Sequence, residues 1–454
     1  MIVYPSAVYI AFRLLGDSGF ESYAVGGAVR DSLLGKKPSD WDIATSALPD
    51  EICRVFSSYN KIIIGIKHGT VAVIIDGSQI EITSFRKDGI YSDARHPEAV
   101  SFSASLKDDV MRRDFTVNAL AADIDGNIID YVGGIDDLNA GVLRCVGVAD
   151  DRLNEDALRI LRAMRFASEL GFEIESETKL SMKANASLLS MISSERISAE
   201  LGKTICGKSA SLVLNEFSDV VAVIIPELEK TFGFVQHNPH HSLTVWQHTL
   251  EVLSHCSPIP ALRWAALLHD IGKPACFTRD IFGIGHFKGH ADKGVYISHD
   301  ILSRLRMSKA DTELILYLIK YHYPIPAPSI KSVKKLLRKV GVDRFFLLTE
   351  LMRADNMGKH IFDADNENKL AKQKEKVELC VSLLSRVDET AREILSSHDC
   401  FSLRDLDING DDLIKLGYRG KDIGRALDFL LDAVISGEVS NNKEELISHL
   451  EKKR

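Results

Sequence analysis

Over the first third of the chain, short apolar runs alternate with turn-forming residues. Apolar positions at helical spacing fill residues 5–17. Ser22–Val25 predicts a strand, Gly26-Gly27 breaks it, and a helix is predicted over Ala28–Leu34. Asp40–Ala44 alternates as a half-buried strand does. Thr70–Ile75 and Gln79–Phe85 flank Asp76-Gly77, a strong hairpin-turn pair. Residues 87–99 are polar and turn-rich and predict a loop. After about residue 150 strand signals are sparse. Apolar spacing there is helical, as in EDALRILRAMRFASEL, ERISAELGKTI, SLTVWQHTLEVLSH, LRWAALLHD and KSVKKLLRKV. The pattern predicts an α/β head followed by a long all-α remainder, without a repeat of fixed period.

Composition narrows the class. The chain has 454 residues, 45% hydrophobic and 26% charged, which suits a globular protein of two to four domains. No apolar run approaches the roughly 18–20 residues that span a bilayer. The start lacks a basic n-region and a small-residue cleavage site, so no signal peptide is expected. Seven cysteines without a CxxC pair fit reduced thiols in a cytoplasm. The net charge of −8 does not point to a protein that coats nucleic acid, so any RNA contact is expected to be a local patch.

The first chemical candidate lies in the head. Asp40 and Asp42 stand at i and i+2 in SDWDIAT, on one face of a strand. Two such carboxylates repel unless a cation sits between them. The plain alternative is a solvated acidic strand. Gly26-Gly27, between a strand and a helix, allows a close backbone approach to phosphates, and Arg30 follows one turn later. Glu81, a polar residue in an apolar strand, is a candidate third carboxylate, or else an edge-strand surface residue. Together these suit nucleotidyl transfer with Mg2+ ions.

The stretch AVGGAVRDSLLGKKPSDWDIATSALPDEI resembles the signature of the class II (bacterial and eukaryotic) tRNA nucleotidyltransferase and poly(A) polymerase family. Further stretches resemble its other motifs in the family's order, through about residue 205. They are TSFRKDGIYSDARHPEAVSF, DDVMRRDFTVNALAAD, IIDYVGGIDDL, NEDALRILRAMRFASELGF and SSERISAELGKTI. The resemblance implies a polymerase-beta-like mixed sheet and metal-binding roles for Asp40 and Asp42. It implies nucleotide contacts for Gly26, Gly27, Arg30, Arg112 and Arg113. Tyr91, Asp93 and Arg95 match its flexible loop.

Glu155, Asp156 and Arg159 open what the pattern predicts to be one amphipathic helix, with Asp156 and Arg159 neighbours at i and i+3. A carboxylate and a forked guanidinium can imitate the Watson–Crick edge of a base. The plain alternative is a helix salt bridge. The resemblance implies that Asp156 and Arg159 pair with incoming CTP or ATP in place of a template, with Glu155 orienting the arginine. Arg162 and Arg165, each three residues on, drift around the helix and are expected to face phosphates or the neck.

A second constellation follows in His248, His269-Asp270 and Asp355. Imidazoles and carboxylates from separate helices can hold a divalent metal. His286, His290 and His322 are further candidates. The segment resembles the HD phosphohydrolase domain, which implies a metal of unspecified identity; the alternative is a helical scaffold without hydrolysis. Lys415, Arg419, Lys421, Arg425 and the basic run KSVKKLLRKV are either RNA-phosphate contacts or solvated faces.

The expected organisation is a head over 1–145, a helical neck over 146–239, an HD domain over 240–360 and a helical body over 361–454. The expected function is template-independent addition of C, C and A to tRNA from CTP and ATP, without membrane attachment. Poly(A) polymerase, an A-adding or CC-adding specialist, and an HD phosphohydrolase with an RNA-binding head are the alternatives.

Overall fold

A computed structural model describes residues 2–62, 69–88, 100–102, 105–238, 242–359 and 367–452. The chain divides into two compact units, Met1–Pro226 and Glu227–Arg454.

The first unit begins α1 (Ser6–Asp17), β1 (Ser22–Val25), α2 (Gly27–Leu33), β2 (Trp41–Thr45), α3 (Pro49–Val55), β3 (Asn60–Ile62), β4 (Thr70–Ile75) and β5 (Ser78–Ser84). A ribbon of β6 (Arg86–Asp88) and β7 (Val100–Phe102) follows, then α4 (Leu106–Met111), β8 (Ala121–Ala122) and β9 (Ile128–Ile129). The mixed sheet runs β3-β4-β5-β2-β1-β8-β9. Asp76-Gly77 make the β4–β5 turn as predicted. The polar stretch predicted as loop from residue 87 instead starts inside β6; the rest of it, with Tyr91, Asp93 and Arg95, lies outside the described residues. Val25, Ala44, Phe85, Val110 and Ala121 share one buried cluster.

Helices then take over: α5 (Gly134–Ala140), α6 (Ala149–Glu155), α7 (Leu158–Leu170), α8 (Ser176–Ala184), α9 (Ser194–Cys206), α10 (Ala210–Glu216) and α11 (Ser218–Ile224). A short parallel pair, β10 (Val142–Leu143) with β11 (Glu173–Ile174), lies among them. The single helix expected from Glu155 onward is two. Glu155 ends α6, and Asp156 is extended at φ −140° and ψ 101°. Its Oδ1 accepts the Leu158 N–H at 3.0 Å, a local bond that competes with helix continuation.

Among its described residues the second unit is mainly helical, with a hairpin of β12 (Thr278–Arg279) and β13 (Gly285–His286). It comprises α12 (Val245–His255), α13 (Pro260–Leu268), α14 (His290–Arg304), α15 (Lys309–Tyr321), α16 (Ile330–Val340) and α17 (Val342–Met357). The long α18 (Glu367–Ser396), α19 (Gly410–Lys415), α20 (Lys421–Ser436) and α21 (Lys443–Glu451) complete it. The basic run on α16 meets acids of its own unit. Lys334 pairs with Asp399 at 2.9 Å, and Arg338 pairs with Asp428 and Asp432 at 2.6 and 2.7 Å. All seven cysteines are free thiols. Among the described residues, no helix is long and apolar enough to cross a membrane.

Candidate functional site

Gly26 ends β1 at φ 75°, a conformation that side chains with a Cβ rarely adopt. A Cβ there would lie 3.2 Å from the Arg113 guanidinium and 3.8 Å from the Asp42 carboxylate. The glycine therefore lets β1, Arg113 and Asp42 close around one point. Its N–H donates to the Leu120 carbonyl at 3.3 Å. The helix after it, α2, has only two turns, so the positive field here comes mainly from arginines.

Asp42 sits in β2 with Val25 of β1 on one side and Glu81 of β5 on the other, each at its own register level. Asp40 directly precedes β2 and accepts the Ser39 hydroxyl at 2.9 Å. Asp40, Asp42, Gly26, Gly27, Arg30, Arg113, Arg162 and Arg165 line one cleft of about 530 Å³. Glu81 stands beside Asp42 rather than in that lining. Loss of surrounding water, followed by the charge of Glu81, pushes the Asp42 carboxyl up to about 6; Arg113 opposes the rise and Asp40 adds to it. The mutual cost of these acids is what a divalent cation relieves, and an all-oxygen donor set fits Mg2+.

A second cavity of about 330 Å³ is lined by Arg86, Arg112, Arg113, Asp114, Asp156, Leu158, Arg159, Arg162 and Arg196. Asp156 and Arg159 thus meet, although on either side of the α6–α7 break rather than one turn apart in a single helix. Arg159 is buried. It donates to Glu155 at 2.7 Å, to the Arg152 carbonyl at 2.8 Å and to the Arg112 carbonyl at 3.1 Å. The other Asp156 oxygen accepts from Arg196 at 3.2 Å.

Residues unremarked in the sequence hold these cations. Asp109, buried on α4, takes Arg112 at 3.0 and 2.6 Å and Arg113 at 3.0 Å. Burial pushes its carboxyl up, but Arg113 and Arg112 outweigh that and hold it below the usual range. Asp114 takes Arg162 at 2.8 and 2.5 Å, and Arg165 reaches Glu200 at 3.1 Å. Asn118 accepts from Arg30 at 2.6 Å and leans on Asp114 at 3.4 Å. The position of Asp109, three and four residues before the arginines on a helical stretch, was a usable signal. Arg196 and Glu200 are brought in only by tertiary packing.

In the second unit His248, His269, Asp270 and Asp355 converge. His248 Nε2 lies 3.0 Å from Asp355 and 3.4 Å from Asp270, and His269 Nε2 lies 3.2 Å from Asp270. His290 and His322 join them, with their Nε2 atoms 3.4 Å apart and His290 3.6 Å from Asp270. His286 does not join; it pairs with Asp280 at 3.0 Å. A Cβ at Gly272 would collide with the His290 carbonyl, so the glycine lets the chain after Asp270 pass close to α14.

The Nδ1 atoms of His248, His269, His290 and His322 face the backbone carbonyls of Gly358, Ala266, Phe287 and Ile319 at 2.7–3.1 Å. Carbonyls only accept, so each Nδ1 carries a hydrogen, and in the neutral imidazole Nε2 is then the ring nitrogen with the lone pair a metal takes. Burial, then neighbouring His269, pushes His322 down to about 4. Two groups, His248–His269–Asp270 and Asp270–His290–His322, have ligand spacing and share Asp270. His269 Nε2 and Asp270 Oδ2 are buried and face each other, with Lys273 2.6 Å from the same carboxylate oxygen. This donor set fits a divalent transition metal.

Three family descriptions match successive parts of the chain. They are a poly(A) polymerase head domain over 22–144, a probable RNA and SrmB binding site of polymerase A over 171–231, and a putative tRNA nucleotidyltransferase domain 2 over 298–450. The CCA-adding enzyme of Geobacillus thermodenitrificans is 50% identical over 261 residues, 57% of this chain and 61% of that protein. The Geobacillus kaustophilus enzyme is 47% identical over 207 residues, 46% of this chain and 51% of its own length. Matches to these two relatives therefore span half to six-tenths of their lengths. The CCA-adding enzyme of Ligilactobacillus salivarius is 31% identical over 449 residues, 96% of this chain and 93% of that one. The crystal structure of the Bacillus stearothermophilus CCA-adding enzyme in complex with CTP superposes with a TM-score of 0.73 at 28% identity. It covers 99% of this chain and 98% of that one. With a relative matched along nearly the whole of both sequences, the chain belongs to the family of CCA-adding enzymes.

Proposed function

We propose that this chain adds C, C and A to the 3′ end of tRNA, using CTP and ATP without a nucleic-acid template and releasing pyrophosphate. The observation that carries the reading is the placement of Asp42 and Glu81 in register beside Gly26, at a cleft that shares Arg113, Asp114 and Arg162 with the cavity of Asp156 and Arg159. One cavity suits a triphosphate and the other a base. The solved relative in complex with CTP supports one of the two nucleotides.

Asp40, Asp42 and Glu81 would hold Mg2+, which when bound supplies charge stabilisation for in-line displacement at phosphorus. The RNA 3′-hydroxyl attacks the α-phosphorus, and the bond to the pyrophosphate oxygen breaks. Arg30, Arg113, Arg162 and Arg165 neutralise phosphate charge, and Gly26 and Gly27 leave room for it. Arg112 borders the base cavity. Arg159 and Asp156 offer a donor fork and an acceptor to the base, with Glu155 fixing the arginine. Catalysis is then chiefly positioning and electrostatics.

Asp42→Ala tests this reading. Nucleotide addition should be abolished while tRNA binding, which is spread over many phosphate contacts, stays nearly intact. Addition at the wild-type rate rules the assignment out.

A second reading, metal-dependent hydrolysis of phosphate esters in an HD domain, is supported by the ligand spacing of the buried His248–His269–Asp270 group and of the Asp270–His290–His322 group. His248, His269, Asp270 and Asp355 would hold the ion, which when bound supplies Lewis-acid chemistry. Lys273 and Lys359, at 2.6 Å from Asp270 and 2.9 Å from Asp355, stabilise the two carboxylates as anions.

A further inference from the structure

Phe166 of α7 lines the carboxylate cleft and is 6% exposed. The guanidinium carbons of Arg165, Arg30 and Arg162 lie 4.2, 5.1 and 5.3 Å from its ring centroid. Phe115 meets the ring edge-on, with centroids 5.9 Å apart and planes at 82°, and fixes its tilt. All three cations are within the roughly 6 Å over which an aromatic face attracts a cation.

Each guanidinium also has its own acid, and the three acids come from separate segments: Asp31 for Arg30, Asp114 for Arg162 and Glu200 for Arg165. The salt bridges therefore pull the cations in three directions. The Phe166 ring lies within about 5.3 Å of all three. Three like charges gathered this closely repel. Glu169 also lines the cleft, 3.9 Å from Arg165; such a carboxylate offsets the repulsion but also repels an incoming phosphate. An aromatic face attracts the cations and leaves their net charge available to an anion.

We infer that Phe166 is a positioning residue for the triphosphate, its ring holding Arg30, Arg162 and Arg165 as one converged cationic array. The inference rests on the nucleotidyl-transfer reading of the cleft, since the array is argued to face the nucleotide's phosphates.

The test replaces Phe166 with leucine and, separately, with mono-, di- and trifluorinated phenylalanines, which weaken the negative face while largely keeping the ring's shape. Binding of inorganic triphosphate with Mg2+ is measured by calorimetry, and KM and kcat for ATP by nucleotide addition. Phe166→Leu is expected to lower triphosphate affinity roughly tenfold. The fluorinated series is expected to lose affinity stepwise with each fluorine and to raise KM in parallel. In that series kcat, thermal unfolding and the choice of base should stay close to wild type. Fluorinated proteins that bind triphosphate as the wild type does overturn the proposal, whatever leucine does, because the ring is then only filling space. If the leucine variant does not fold, the fluorinated series decides alone. A wild type that binds no triphosphate overturns the cleft reading itself, and this proposal with it.

Discussion

Asp114 accepts two hydrogen bonds from the guanidinium of Arg162, at 2.8 and 2.5 Å across 48 residues of sequence, and both side chains line both cavities of the first unit. Asp114 also accepts the Phe115 N–H at 2.8 Å and, through Asn118, touches the residue that holds Arg30. Arg162, which lines both cavities, thus depends on this buried carboxylate directly, and Arg30 is tied to it through Asn118.

Asp114→Ala leaves Arg162 without its acid. Breaking such a pair is expected to cost about 2–3 kcal/mol, at the lower end of the range because Arg162 is partly exposed. That lowers the midpoint of thermal unfolding by roughly 5–10 °C. In the folded variant, KM for the nucleotide should rise and base choice should loosen together. A variant that unfolds earlier but selects and binds nucleotides as the wild type does contradicts the joint role.

Arg159→Ala removes the buried guanidinium from the base cavity while leaving the Asp42 side intact. Incorporation of UTP and GTP relative to CTP is expected to rise roughly 10- to 100-fold. Competition assays with mixed nucleotides read this directly. An unchanged preference in the folded variant counts against base recognition at this position.

Much of the head was legible because its signals are local. The alternation around Asp42, the Asp76-Gly77 turn and the glycine pair each predict structure from a few neighbouring residues, and those elements form. The break at Asp156 was not legible from apolar spacing, because a side-chain bond to the Leu158 N–H decides it. Asp114–Arg162 and Arg165–Glu200 join residues 48 and 35 apart, and only folding pairs them. In the second unit the residue types and order were legible. The convergence of four Nε2 atoms depends on backbone carbonyls that no spacing rule shows.

The raised Asp42 carboxyl has a pH consequence. Above about pH 6 it is ionised and able to hold a cation; below that, protons compete with the cation for it. At limiting Mg2+, the rate of addition is expected to fall as pH drops through about 6. Higher Mg2+ should shift that midpoint to lower pH. Rate profiles at several Mg2+ concentrations check this, and a midpoint indifferent to Mg2+ contradicts it.

His269→Ala combined with Asp270→Ala separates the two candidate sites. Bound divalent metal in the second unit, and any hydrolysis of 2′,3′-cyclic phosphates or phosphate monoesters with Mg2+, Mn2+, Ni2+ or Co2+, should be lost. Nucleotide addition should persist, because the head's carboxylates and arginines all belong to the first unit. Thermal unfolding is measured alongside, since a buried metal also supports folding. A folded double variant that keeps hydrolysis but loses nucleotide addition reverses this division.

The most direct measurement uses tRNA lacking its last three nucleotides, with CTP and ATP supplied separately and together, followed by sequencing of the 3′ ends. The account predicts two cytidines with CTP alone, no addition with ATP alone, and C, C and A in order when both are present. Adenosine tails without cytidine, termination after CC with both nucleotides present, or unextended ends under every condition would contradict it.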